Sequence, residues 1–185
     1  MADKALILVD VQNDFCPGGS LAVPRGDEVV PPLNRMIMFA VAQGWDIVAS
    51  RDWHPRQTKH FAEFGGIWPV HCVQGTPGAE FHSGLHLSMS YSQFQVVSKG
   101  LGDADDYSAF DSGMKPEAKH LYVGGLATDY CVLATVRRAL ELGYEVTLLT
   151  DASRAVDLKP GDGERAIAEM QAAGAVLATT EEVMA

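Results

Sequence analysis

Three reactive side chains, Asp10, Lys99 and Cys131, stand at or just beyond the ends of predicted β-strands. A cysteine attacks as its thiolate, and a helix N-terminus together with a nearby cation lowers the pKa of a thiol. Lys99 is the candidate cation, and Asp10 could accept the thiol proton and pass it to a leaving amine. A free cysteine alone is usually a small buried apolar residue. The two companions favour Cys131 as a nucleophile, whereas Cys16 and Cys72 lack them and are expected to be structural.

A second set of side chains has the residue types of a metal site. Asp52 and His54 are two residues apart, so their side chains share a face of an extended segment, and His71 follows in the same irregular region. Two imidazoles and one carboxylate suit zinc, iron(II) or manganese, with positions left for water or substrate. His60 is a candidate fourth ligand. On spacing alone, a metal site and a loop of histidines without ligands stay equally open.

The elements that position these side chains alternate between apolar runs and helical stretches. Strands are predicted at residues 5–9, 46–50, 94–98, 121–123, 145–149 and 175–178, and helices at residues 27–43, 129–142 and 161–173. The double proline Pro31-Pro32 suits a first turn, which moves the start of the first helix towards Val30. Repeated strand–helix order predicts an α/β fold, a parallel sheet with helices on both faces. Ligands bind beyond the carboxyl ends of such strands, so the reactive side chains are expected to share one edge.

Composition limits the partners of the chain. Its 185 residues fit a single domain, residues 1–185, and 47% hydrophobic with 21% charged residues is typical of a globular protein. A formal net charge of −10 argues against nucleic acid or an anionic membrane as the main partner. No signal peptide or membrane span is recognisable, and the three cysteines are widely spaced, which predicts reduced thiols and a cytoplasmic location. Monomer and homo-oligomer are equally compatible with the sequence.

Several segments together resemble the nicotinamidase/pyrazinamidase group of the isochorismatase-like cysteine hydrolases. The segments are LVDVQNDF (8–15), DWHP (52–55), WPVHC (68–72), KG (99–100) and GGLATDYCV (124–132). They occur in the family's order over nearly the whole chain. The aspartate, lysine and cysteine segments mark the wider family, and the two histidine segments mark its metal-dependent nicotinamidase branch.

The resemblance implies a three-layer fold, with a six-stranded, mostly parallel sheet between helices. It implies a catalytic triad of Asp10, Lys99 and Cys131, and one divalent ion, zinc before iron or manganese, at Asp52, His54 and His71. A further histidine ligand would match His60. The family's cis peptide would fall between Leu126 and Ala127, the backbone N–H groups of Ala127 and Cys131 would form the oxyanion hole, and the substrate pocket would include the aromatic residues Phe15, Trp68 and Tyr107.

The implied reaction is hydrolysis of nicotinamide to nicotinate and ammonia in NAD salvage, with pyrazinamide as an additional substrate. Three alternatives stay open. The first is a related hydrolase that acts on another amide, a carbamoyl compound or a vinyl ether. The second is a non-catalytic metal- or ligand-binding domain with the same fold. The third is a hydrolase that uses a metal-bound hydroxide, in which Cys131 is structural.

Overall fold

One parallel sheet organises the chain in a computed structural model that describes residues 3–88, 91 and 94–185. Its six strands lie in the order β3-β2-β1-β4-β5-β6, and all pairings between them are parallel. The strands are β1 (Lys4–Val9), β2 (Asp46–Asp52), β3 (Phe94–Lys99), β4 (His120–Leu126), β5 (Glu145–Arg154) and β6 (Val176–Ala178). The helices are α1 (Val30–Gln43), α2 (Leu133–Glu141), α3 (Asp162–Ala172) and α4 (Thr180–Met184). The predicted α/β fold with six strands is therefore confirmed.

Strand β1 faces a hydrophobic core on each side of the sheet. Leu6 and Leu8 join the cluster that contains the buried face of α1. Ile7 and Val9 point the other way, into the cluster that contains α2 and α3. Because successive side chains of a strand alternate between faces, an uninterrupted apolar run can fill both layers. This burial fixes β1 at the centre of the sheet, between β2 and β4.

Element boundaries differ from the sequence predictions in ways that have local causes. Helix α1 starts at Val30, after a short 3-10 turn (Gly26–Val29), and it ends at Gly44, which has a φ of 68°. Strands β4 and β5 run further than predicted because residues beyond their apolar runs still pair, Gly125 with Ser153 and Leu126 with Arg154, after a register shift that follows Val123. The predicted helix 129–142 begins as a π-helical turn (Thr128–Val132) that continues into α2.

Helix α4 was not predicted, although its sequence contains a start signal. Thr179 accepts a hydrogen bond from the backbone N–H of Glu182, and the Glu182 side chain accepts one from the Thr179 backbone. This reciprocal capping box stabilises the start of a helix too short to show a periodic apolar pattern. Within the described residues, no helix has the length and apolar character that a membrane crossing requires.

Candidate active site

Neighbouring strands bring the predicted triad together at one edge of the sheet. Asp10 follows β1 directly, Lys99 is the last residue of β3, and its register partner on β2 is Asp52. Gly125 near the end of β4 pairs with Val9, and a Cβ there would lie 2.1 Å from the Val9 carbonyl oxygen. With a φ of 131°, this position needs glycine so that the two strands can approach.

Lys99 is the centre of the site. Its side chain is fully buried, and its ammonium lies 2.9 Å from Asp10 Oδ2 and 3.4 Å from Cys131 Sγ. The same ammonium donates a hydrogen bond to Asp52 Oδ1. Burial lowers the pKa of Lys99, but the charges of Asp10 and Asp52 outweigh burial and hold that pKa well above its usual value. Lys99 is therefore a permanent buried cation.

The two carboxylates beside Lys99 respond differently to the same ammonium. Burial raises the pKa of Asp10 above its usual value against the opposing effect of Lys99, and the charge of Asp52 raises it further. Ser50 donates a hydrogen bond of 2.7 Å to Asp10 Oδ1. Burial also raises the pKa of Asp52, but the adjacent Lys99 ammonium outweighs burial and holds this pKa well below the usual range. Asp52 is thus the stronger anion, and Asp10 is the better proton acceptor.

Cys131 lies in the π-helical turn, buried beside these groups. Its thiol and the carboxylates of Asp10 and Asp52 have atoms that all lie within 4.8 Å of one another. Lys99 lowers the pKa of Cys131 as expected, but burial, the largest effect, and the two carboxylates raise it well above its usual value. The lower thiol pKa expected from a helix N-terminus and a nearby cation is therefore not found. A raised pKa favours the neutral thiol, and the carboxylate of Asp10 lies beside it.

Three histidines from the loop between β2 and β3 face a common point. One ring nitrogen from each of His54, His60 and His71 lies within 4.8 Å of the other two. Each Nδ1 has a partner, which is the Gly100 carbonyl at 3.0 Å for His54, the Pro69 carbonyl at 2.8 Å for His71, and Asp105 for His60. A carbonyl oxygen only accepts, so Nδ1 of His54 and His71 carries the proton and Nε2 offers a lone pair.

This donor set fits a divalent metal ion. Asp52 Oδ2 lies 3.6 Å from His54 Nε2 and 3.8 Å from His71 Nε2. The buried His54 Nε2 has no hydrogen-bond partner among the described residues, and a buried nitrogen without a partner is costly unless a ligand satisfies it. Two or three imidazoles with one carboxylate match the preferences of zinc and similar ions. Whether His60 is a ligand stays a prediction.

Gly100 allows His54 to take its place in this cluster. The residue follows β3 with a φ of 67°, and a Cβ there would lie 2.4 Å from Cε1 of His54. Any side chain would collide with the imidazole whose Nδ1 donates to the Gly100 carbonyl. The Lys99-Gly100 pair therefore contributes both the buried ammonium and the backbone carbonyl that orients His54.

Two supporting side chains escaped the sequence analysis. The fully buried Gln12 amide accepts a hydrogen bond of 2.7 Å from the Asp52 backbone N–H and donates one of 2.7 Å to the Asp52 carbonyl, so it pairs with β2 as a strand would. The Asp14 carboxylate accepts a hydrogen bond of 2.7 Å from the backbone N–H of Cys72, the neighbour of His71. Their signal in the sequence is the run of polar residues immediately after a buried strand, Gln12-Asn13-Asp14.

A narrow cavity opens onto Cys131 and the histidines. The predicted pocket residues Phe15, Trp68 and Tyr107 all line it, and the Trp68 indole donates a hydrogen bond of 2.9 Å to the Tyr107 hydroxyl. Ala127 and Cys131 also border the cavity, and the Leu126–Ala127 peptide bond is cis. Four further residues that the sequence did not indicate also line the cavity: Leu21, Val23, Tyr130 and Val156. They come from separate segments of the chain, so only the tertiary structure shows that they form an aromatic and aliphatic wall.

The histidines outside the cluster have other environments. His120 opens β4, where its Nε2 lies 2.8 Å from the Thr147 hydroxyl. His82 Nδ1 accepts a hydrogen bond from the backbone of Gly84. The free thiols of Cys16 and Cys72 are buried, and burial raises the pKa of Cys16 to about 11. These groups therefore stay apart from the chemistry at the sheet edge.

Known proteins share this arrangement of fold and sequence. The isochorismatase domain profile matches residues 4–182. A nicotinamidase of Escherichia coli (strain K12) is 42% identical over 97% of this chain and 96% of its own. A pyrazinamidase of Pyrococcus horikoshii, crystallised in complex with zinc, superposes with a TM-score of 0.86 at 42% identity, covering 96% of this chain and 99% of that chain. The yeast nicotinamidase bound to the inhibitor nicotinaldehyde superposes with a TM-score of 0.85 at 30% identity, and the match covers 95% of this chain and 99% of that chain.

Proposed function

The chain belongs to the isochorismatase family of hydrolases, and from this membership we propose that it is a nicotinamidase. It hydrolyses the carboxamide of nicotinamide to nicotinate and ammonia, and pyrazinamide is a second substrate. The observation that carries the proposal is the contact of Lys99 with Asp10, Asp52 and Cys131, two of which, Asp52 and Cys131, line a cavity together with His60 and His71. In this arrangement Cys131 is the nucleophile, Asp10 is the base, and the histidine cluster binds the ring of one small amide.

In the first half-reaction, Cys131 Sγ attacks the carboxamide carbon while its proton passes to Asp10. The carbonyl oxygen becomes an oxyanion, which the backbone N–H groups of Ala127 and Cys131 stabilise by about 3 kcal/mol for each donor. Asp10 then returns the proton to the amide nitrogen, and the C–N bond breaks. Ammonia leaves, and the acyl group stays on sulfur as a thioester.

In the second half-reaction, water replaces ammonia. Asp10 accepts a proton from the water as its oxygen adds to the thioester carbon. The C–S bond then breaks, the proton on Asp10 returns to Cys131, and nicotinic acid leaves, releasing its remaining proton to solvent as nicotinate. Asp10 therefore serves as base and acid in turn, and the elevated pKa of its buried carboxyl suits both tasks.

Lys99 supplies the fixed positive charge in both steps. Its ammonium is 3.4 Å from the sulfur on which negative charge develops, and no water has to reorient to provide that stabilisation because the group is fully buried. The same ion pair keeps Asp10 ionised between turnovers in spite of its burial. Lys99 thus lowers the barrier without transferring a proton.

Asp52, His54 and His71 would hold the metal ion, zinc before iron or manganese, with His60 as a further ligand. When bound, the ion supplies a Lewis acid that fixes and polarises the ring nitrogen of the substrate. The three unpaired cysteines support a reducing compartment such as the cytoplasm.

Ammonia release from nicotinamide, measured together with elemental analysis of the purified protein, tests the proposal. We expect turnover of nicotinamide and pyrazinamide, and one equivalent of a divalent metal. Hydrolysis of another amide or carbamoyl compound in preference to nicotinamide would place the chain elsewhere in the family. Binding of nicotinamide without ammonia release would make it a non-catalytic relative.

A further inference from the structure

The carboxylate of Asp129 holds the segment that follows β5. Asp129 Oδ1 accepts a hydrogen bond of 2.9 Å from the backbone N–H of Val156, and Oδ2 accepts one of 2.9 Å from the backbone N–H of Asp157. Both oxygens of one side chain therefore grip successive backbone donors 27 and 28 residues further along the chain. Charge-assisted hydrogen bonds of this kind are about twice as strong as neutral ones.

Asp129 also belongs to the turn that carries the nucleophile. It lies two residues before Cys131 in the π-helical turn, and its neighbour Thr128 forms a second hydrogen bond across the same gap, to Ser153 at the end of β5. The nucleophile turn and the end of β5 are thus fastened by two adjacent side chains.

The far side of the gripped segment is fixed as well. Asp157 Oδ1 accepts a hydrogen bond of 2.8 Å from the Gly163 backbone at the start of α3. A Cβ on Gly163 would lie 2.5 Å from Cβ of Ala155, so the segment packs closely against that helix. Val156 is therefore held between two anchored neighbours.

The side chain of Val156 is part of the substrate cavity. It lines the cavity together with Phe15, Val23 and Ala127, and it packs against the same hydrophobic cluster. The cavity has a volume of about 30 Å³, well below the roughly 300 Å³ at which pockets for small ligands usually begin. A pyridine carboxamide enters only if a wall gives way, so the stiffness of each wall decides which rings fit.

We propose that Asp129 is a positioning residue that sets ring-size selectivity by holding Val156 against the substrate ring. The inference rests on the proposed nicotinamidase function. Asp129 does not line the cavity, and it acts through the backbone of Val156. A narrow, rigid aliphatic wall accepts a single six-membered aromatic ring and rejects a fused bicyclic one.

The kinetic test compares nicotinamide with quinoline-3-carboxamide, which presents the same carboxamide on a larger ring. Val156→Ala should raise the kcat/KM ratio of the bicyclic to the monocyclic amide by about tenfold, the usual effect of a small change in pocket volume. Asp129→Ala should shift the ratio in the same direction and raise KM for nicotinamide more than it lowers kcat. Asp129→Asn, which keeps one acceptor oxygen, should lie between Asp129→Ala and the parent protein.

The double variant Asp129→Ala/Val156→Ala separates positioning from general destabilisation. If Asp129 acts through Val156, the double variant has the selectivity of Val156→Ala alone. Asp111→Ala is the matched control, because Asp111 is a carboxylate that pairs with Arg138 away from the cavity. Additive shifts in the ratio, or a ratio that stays constant in Asp129→Ala while Val156→Ala changes it, would overturn the proposal.

Hydrogen exchange provides a readout that does not depend on turnover. The amide hydrogens of Val156 and Asp157 should be protected in the parent protein, partly protected in Asp129→Asn, and unprotected in Asp129→Ala. Equal exchange rates in parent and variants contradict the inference even if nicotinamide proves not to be a substrate. Normal protection with no hydrolysis of nicotinamide would instead refute the proposed function and leave the grip of Asp129 established.

Discussion

Asp52 and Lys99 are register partners on neighbouring strands, and their side chains meet as a buried ion pair at the carboxyl edge of the sheet. Asp52 Oδ1 contacts the ammonium, whereas Oδ2 faces the Nε2 atoms of His54 and His71. One carboxylate therefore contacts both the lysine of the proposed triad and the histidines of the proposed metal centre. A substitution in the triad should therefore affect the metal centre, and a substitution in the metal centre should affect the triad.

Removing the proposed nucleophile should abolish turnover while the metal stays bound. For Cys131→Ala we expect kcat for nicotinamide to fall by at least about 10⁴-fold, as when the nucleophile of other covalent enzymes is deleted. Ammonia release and elemental analysis measure the two properties on one sample. Cys16→Ala, which alters a buried thiol outside the site, is the control and should keep full activity. Undiminished hydrolysis by Cys131→Ala would rule out the covalent route.

Replacing Lys99 should cost stability as well as activity. Lys99→Met leaves Asp10 and Asp52 buried without a cation, which should lower the free energy of unfolding by about 3–5 kcal/mol at neutral pH. Urea unfolding between pH 5 and pH 8 measures the difference from the parent protein. A loss below about 1 kcal/mol would show that the buried pair is not structurally important.

The stability difference caused by Lys99→Met should shrink as the pH falls. In the parent protein the pKa of Asp52 lies well below its usual value of 3.8, so its stabilising effect is present above that value and is lost only in stronger acid. In the variant the two carboxyls have raised pKa values, and they gain protons in the folded state as the pH decreases. The variant should therefore recover relative to the parent in acid, and a difference that grows with acidity would contradict this account.

Removal of single histidines should lower metal content and activity together. We expect His54→Ala and His71→Ala to lose bound metal, and His60→Ala to lose affinity if His60 is a ligand. Chelator titration followed by elemental analysis measures the affinity, and thermal unfolding should show a lower Tm after the metal is removed. His86→Ala, outside the cluster, is the control. Full activity in a metal-free preparation would refute the metal requirement.

Gln12 should contribute more to stability than its neighbour Asn13. Gln12→Ala leaves the Asp52 backbone and the Ala79 carbonyl without their buried partner, which should cost about 2–4 kcal/mol. It should also weaken metal binding, because Asp52 is no longer held. Asn13→Ala removes an exposed hydrogen bond to Pro77 and should cost less than about 1 kcal/mol. Equal unfolding free energies for the two variants would show that the Gln12 amide does not support β2.

The sequence predicts the residues at the strand ends well, because a parallel sheet leaves little choice about where they meet. Asp10, Lys99 and the turn of Cys131 follow apolar runs that have to pair in the core, so their proximity follows from topology. The histidine cluster was identified as a set of residue types, but its orientation depends on the Gly100 and Pro69 carbonyls, which no spacing rule reveals.

The supporting residues could not be predicted for a different reason. Gln12 and Asp129 bind backbone groups of segments that are distant in sequence, and a backbone donor has no sequence signature. The pKa of Cys131 likewise depends on burial and on distances to two carboxylates. By contrast, the start of helix α4 has a sequence signal, because the Thr179–Glu182 pair matches the pattern of a capping box.

The backbone carbonyls that orient His54 and His71 have a practical consequence. Since the tautomers are chosen by the chain itself, the apoprotein should accept a replacement ion in its folded state, with no refolding step. Cobalt(II) could then be introduced as a coloured reporter, and its visible spectrum would follow the coordination sphere during catalysis.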